Sequence, residues 1–141
     1  MNKTIHCLEI LYLIMELISY NTIAVNQIKN NGLEKYETDY IIRKINKYEE
    51  ENDKKITKLV MYPDKGMVYN YPTVKMTGDM NTRNVMINWS FKPALSMYLG
   101  RNIIDGKEDK EIKEYCSNNN WNNIDDDQFK FKDDTLYICS Y

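Results

Sequence analysis

Five residues able to recognise a polar ligand fall within one stretch, Tyr71–Arg101: Asp79, Arg83, Trp89, Tyr98 and Arg101. Arginine is scarce in this chain, three against sixteen lysines, so two in one stretch stand out. A guanidinium donates paired hydrogen bonds in a fixed plane, and an aromatic ring offers a flat apolar face. Together with a carboxylate, they suit sugar binding by stacking and bidentate hydrogen bonds. The same charges equally suit a structural salt bridge, so both readings stand at this point.

The other polar groups assemble no reaction centre. Asp125-Asp126-Asp127 lacks the alternate-position ligands, turn glycine and terminal acid of a calcium loop, and reads as a helix cap or solvated turn. His6 is the single histidine, and its neighbourhood matches no recognisable triad or metal-ligand spacing. Thr77-Gly78-Asp79 has one glycine, too few to cradle a phosphate. The sequence therefore assigns no catalytic residue, no metal and no cofactor. Three widely spaced cysteines, Cys7, Cys116 and Cys139, define no disulfide framework. A Cys116–Cys139 bridge stays open beside the reading of Cys139 as a small buried hydrophobe.

At 141 residues the chain is one domain at most, able to bury a core without metal or cross-links. A net charge of −2, with lysines dispersed among acids, excludes the basic stripe of a nucleic-acid binder. Twelve tyrosines supply apolar area with a polar tip, which suits half-buried positions.

The elements that must position these groups are legible in part. Ile5–Ile18 is the most apolar segment, with Glu9 and Glu16 seven apart on one face and Leu8, Leu11, Tyr12, Met15 and Ile18 around the rest. It reads as a core helix or as the end of a membrane helix. The helical pattern extends to Asn30, and Asn31-Gly32 predicts a stop. A second helix is predicted over Leu33–Asn52, with Leu33, Tyr36, Tyr40, Ile41, Ile45 and Tyr48 on its apolar side. Lys55–Tyr62 reads as a strand buried on both faces, ending at the Pro63–Gly66 turn. Extended pieces are predicted at Met67–Tyr71 and Thr73–Thr77. Asp79 caps a predicted helix from Met80 to Trp89, and Ser90 caps another with Pro93 in its first turn, Leu95, Tyr98 and Leu99 inward, and Gly100 at its end. A short helix over Glu108–Ser117, with Ile112, Tyr115 and Cys116 as its stripe, leads to an asparagine-rich loop around Trp121. Phe129 and Phe131 then alternate into a hairpin that turns at Asp133-Asp134 and returns over Leu136–Tyr141.

The ordered segments SYNTIAVNQ, KINKYEEEN, KITKLVMYPD, YPTVKMTGDMNTR, YLGRNI and DDTLYICSY resemble the tail of polytopic bacterial membrane glycosyltransferases, the glucosyltransferase group that includes serotype-converting O-antigen enzymes. The resemblance covers nearly the whole chain and places Ile5–Tyr20 at the end of the last membrane helix. It implies a compact C-terminal α/β domain outside the cytoplasm. Members look like transferases of polyprenyl-phosphate-linked sugars, with acidic catalytic residues in an early extracytoplasmic loop. No counterpart of that loop is found here, so no catalytic residue carries over.

The expected fold is α/β, α+β in places: a small mixed sheet of Lys55–Tyr62, Thr73–Thr77 and the C-terminal hairpin, covered by helices. Residues 1–20 form the preceding hydrophobic helix and residues 21–141 a single domain. The expected function is a non-catalytic, extracytoplasmic fragment of a glycosyltransferase-like protein of the cell membrane, acting in cell-surface polysaccharide glucosylation. A membrane or membrane-helix bundle and a glycan acceptor are its expected partners. The competing reading is a free-standing soluble, cytoplasmic interaction module that binds a partner through its N-terminal helix.

Overall fold

The first two expected helices are one. The computed structural model describes residues 3–62, 88–119, 121 and 124–139, and in it helix α1 runs unbroken over Lys3–Asn52. At 1.5 Å per residue its 50 residues span about 75 Å. The predicted stop at Asn31-Gly32 is corrected: Gly32 is helical, not left-handed. A glycine inside a helix costs about 1 kcal/mol relative to alanine. Ending one helix and nucleating another costs more when no proline or turn sequence follows. The helix ends instead at Asn52, where Asp53 takes φ 51° and the Asn52 amide donates back to the Tyr48 carbonyl at 2.9 Å.

The remaining described elements are β1 (Lys58–Tyr62), α2 (Asn88–Leu99), β2 (Ile104–Asp105), α3 (Lys110–Asn118), a 3₁₀ turn (Asp126–Gln128), β3 (Phe129–Lys132) and β4 (Thr135–Cys139). The strands form one mixed sheet in the order β2-β1-β4-β3. β1 is parallel to both β2 and β4, and β3–β4 is the antiparallel C-terminal hairpin. The α/β class expected from the sequence is the one observed. Strand β2 was not foreseen, since two residues carry no alternation. It pairs with β1 through Ile104 N–H to the Thr57 carbonyl and Gly106 N–H to the Leu59 carbonyl, both 3.0 Å, and Asp105 accepts from Lys92 Nζ at 2.7 Å. A Cβ at Gly106 would sit 2.7 Å from Val60 Cγ2 and 2.9 Å from Thr135 Cγ2, so the backbone passes there only without a side chain. The expected strands at 67–71 and 73–77 and residues 80–87 of the helix expected over 80–89 lie outside the described residues; its last two residues, Asn88 and Trp89, belong to α2.

Alternation along β1 explains the layering. Leu59 and Met61 join Ile41 and Ile45 of α1, Phe91 and Leu95 of α2 and Leu136 and Ile138 of β4 in the main core. Val60 and Tyr62 point to the other face, where Tyr137 and Ile112 of α3 meet them. Helices α1 and α2 thus cover one face and α3 the other, as a strand buried on both faces requires. Tyr48 of α1 stacks on Phe131 of β3 with ring centroids 4.6 Å apart.

Two expectations about α2 are corrected. Its described part opens at Asn88, so Ser90 lies inside the helix rather than capping it, and Pro93 lies beyond the first turn, where it removes the bond to the residue-89 carbonyl. The buried stripe runs in steps of four, Phe91, Leu95, Leu99, and leaves Tyr98 at its edge, 56% exposed. The end is as expected: Gly100 at φ +64° closes a Schellman turn, with Arg101 N–H on the Ser96 carbonyl at 3.1 Å and Gly100 N–H on Met97 at 3.3 Å.

Helix α3 has no fully buried residue, and a covalent tie supplements its packing. Cys116 and Cys139 form a disulfide with a Cα–Cα distance of 5.1 Å, closing one of the pairings the sequence left open. Cys7 is exposed and unbridged.

A Cβ at Gly32 would meet nothing within 4 Å. Gly32→Ala is therefore expected to stabilise the chain by about 1 kcal/mol, read as a higher denaturation midpoint with an unchanged m-value. An unchanged or lower midpoint would show that helix continuity at this point is not limited by backbone entropy.

Candidate functional site

The five residues singled out in the sequence do not form one corner. Asp79 and Arg83 lie outside the described residues, as does the side chain of Trp89. Arg101 is described, and it is committed to structure. Its Nη2 donates to Glu49 Oε1, its Nη1 to Glu49 Oε2 at 3.2 Å, and its Nε to the Ile56 carbonyl at 2.8 Å. Glu49 is 6% exposed and also accepts from the Ile56 N–H at 2.9 Å and from Lys55 Nζ at 2.8 Å. This is the salt bridge that the scarcity of arginine left open, made with a residue of α1 rather than with Asp79. Burial pushes the Glu49 carboxyl up, but bonds from Lys55, the Ile56 N–H and Arg101 outweigh it and hold it below its ordinary value.

The aspartate triplet is likewise accounted for. Asp125 caps the 3₁₀ turn, accepting from Asp127 N–H at 3.0 Å, while Gln128 Oε1 reaches back to the Asp125 N–H at 2.7 Å. Asp126 accepts from the Tyr40 hydroxyl and pairs with Lys44 at 2.5 Å. Burial, then the Asp126 carboxylate, pushes the Tyr40 phenol up to about 12. Among the described residues, no group of three or more His, Cys, Asp or Glu side chains is placed to hold a metal. His6 Nδ1 lies 3.0 Å from Glu9 Oε2 on the outside of α1.

Of the two whose side chains are described, Tyr98 lines a cleft. The cleft has a volume of about 260 Å³ and lies between α1 and α2. Helix α1 contributes Asn31, Lys35 and Thr38, which the 3.6-residue repeat places on one face; α2 contributes Phe91, Ala94 and Tyr98. Phe91 is almost fully buried and forms an apolar floor, and Tyr98 stands half-exposed at the edge. Lys35 is paired with Asp39 at 2.6 Å, which neutralises the one cation on the lining. The sequence signal for the α1 side was present, since residues 31, 35 and 38 recur at helical spacing. It was obscured by reading Asn31-Gly32 as a helix end and the charged face beyond it as solvated.

Arg101→Ala leaves a buried carboxylate short of its main partner and is expected to cost about 3 kcal/mol in urea unfolding. Because the folded-state pKa of Glu49 is depressed, its contribution is complete above the unfolded carboxylate range and is lost as pH falls through the folded value. Stability is thus expected to decline below about pH 4.3, and Glu49→Gln should flatten that acid limb; an identical limb in the variant would refute the assignment.

Comparisons with family models, with curated proteins and with solved structures return no match.

Proposed function

We propose that this chain is a membrane-anchored, extracytoplasmic, non-catalytic domain of a glycosyltransferase-like protein acting on cell-surface polysaccharide. The observation that carries the anchoring is the state of residues 5–20. Leu8, Ile10, Leu11, Leu13, Ile14, Met15, Leu17 and Ile18 point in all directions around α1, and each is at least half exposed. Apolar surface on this scale, left uncovered by the described parts of the chain, needs an apolar partner. The 16 residues from Ile5 to Tyr20 make about 24 Å of helix, close to the roughly 30 Å hydrocarbon thickness of a bilayer. By length and composition α1 is the one described helix able to cross a membrane. The Cys116–Cys139 disulfide supports the oxidising side, since such bonds persist outside the cytoplasm. The glycosyltransferase part of the proposal rests on the ordered segments quoted above and on the aromatic cleft.

The competing reading, a soluble module whose N-terminal helix docks on a protein partner, draws on the same uncovered helix. Fractionation separates the two. The full chain is expected in the membrane pellet, resistant to alkaline carbonate, and the chain lacking residues 1–20 is expected in the soluble fraction with an intact circular dichroism spectrum. A full-length chain that is a soluble monomer, with a truncated form that unfolds, would overturn the anchor.

A further inference from the structure

The cleft between α1 and α2 has the composition of a small-ligand site, and its chemistry narrows the ligand. Three properties decide it. The volume of about 260 Å³ lies just below the roughly 300–1,000 Å³ of sites for drug-sized ligands, so the cleft takes about one ring rather than an extended molecule. Its apolar lining is Phe91, almost fully buried, with Ala94 and the half-exposed Tyr98 ring. Its polar lining holds no uncompensated cation. Asn31 supplies an amide, Thr38 a hydroxyl, and Lys35 is held by Asp39 at 2.6 Å. With Glu34 also on the lining, the cleft offers no net positive charge to a phosphate, sulfate or carboxylate ligand. A lining that combines aromatic and apolar groups with an amide and a hydroxyl matches a neutral pyranose, which has one C–H face and a rim of hydroxyls.

We propose that this cleft is a binding site for a single neutral pyranose unit, stacked on Tyr98 and hydrogen-bonded by Asn31 and Thr38. The assignment deepens the glycan part of the function proposed above and rests on it for the source of the sugar, a polysaccharide or lipid-linked chain at the cell surface. The placement on α1 is consistent with such a source. Asn31 and Thr38 lie 11 and 18 residues beyond Tyr20, on the same unbroken helix. The cleft therefore sits about 17–27 Å along the helix axis from the end of the apolar segment.

The test uses the full chain in phosphatidylcholine nanodiscs, with methyl α- and β-glucopyranoside and cellobiose as probes, followed by saturation-transfer NMR. Binding is expected with a dissociation constant on the order of 1 mM, the range for a ligand of this size in an open cleft. Tyr98→Ala is expected to weaken it at least 10-fold, Tyr98→Phe to retain it, and Asn31→Ala to weaken it several-fold. Tyr36→Ala is the control: Tyr36 is an equally exposed tyrosine of α1 and does not line the cleft. No saturation transfer at 20-fold the expected constant would overturn the site. So would binding unchanged in Tyr98→Ala, an equal loss in Tyr36→Ala, or preferential binding of glucose 6-phosphate over the neutral glycosides. Flotation of the same chain with phosphatidylcholine vesicles separates the two proposals. A chain that floats but binds no sugar refutes the site alone, and one that binds sugar in the cleft but does not float refutes the anchor alone.

Discussion

The Glu49 carboxylate is the joint on which the arrangement of this domain depends. It sits in the last turn of α1, yet its partners come from two other places: Lys55 and the Ile56 amide at the entrance to β1, and Arg101 just past the end of α2. Arg101 in turn holds the Ile56 carbonyl, so one side-chain pair fixes both backbone groups of the residue that leads into the central sheet. A buried carboxylate is costly in isolation and tolerable only when its oxygens are filled. Here both oxygens are filled, and the long helix, the first strand and the second helix are held in one relative position. A second joint lies nearby at the hairpin turn. The Asp134 carbonyl accepts from both the Thr57 and Lys58 amides, and Asp133 pairs with Lys54. The connection between α1 and β1 is therefore clamped from two sides.

From this joint the rest follows by burial. Once β1 is placed, its alternating side chains demand cover on both faces, and the helices supply it unequally. Helices α1 and α2 bring fully buried residues, whereas α3 brings half-buried ones and relies on its disulfide and on Tyr62, whose hydroxyl takes the Asp109 N–H at 2.8 Å. Gln128, fully buried, accepts from the Asp125 N–H and donates to the Cys139 carbonyl.

What the sequence disclosed, it disclosed through local rules. The hairpin about Asp133-Asp134, the Gly100 helix end, the two-faced burial of β1, the Asp125 cap and the stripe of α3 each depend on neighbours within a few residues. What it hid was long-range or too short to carry a pattern. Nothing local joins Arg101 to Glu49, 52 residues away, or selects Cys139 for Cys116 over Cys7. Two residues of β2 cannot show a period. The unbroken passage of α1 through Gly32 turns on about 1 kcal/mol against the cost of a new helix end, a balance that a glycine rule does not weigh. The candidate site was half legible: Tyr98 was singled out, while the α1 residues opposite it were divided between a predicted stop and a solvated face.

The strand order sets the timing of synthesis. β4 lies inside the sheet, hydrogen-bonded to β1 on one side and β3 on the other, and Lys58 of β1 aligns with Thr135 of β4, a stretch of 77 residues later. As the chain leaves the ribosome, β1 emerges early and waits for its interior neighbour until nearly all of the described chain has followed. Contacts this distant in sequence form slowly, after most of the loop entropy has been lost. Only the short β1–β2 pairing can form in advance, and Cys116 waits for Cys139, 23 residues later. The globular part thus matures as one late event, by which time α1, complete from its own local bonds, has already emerged.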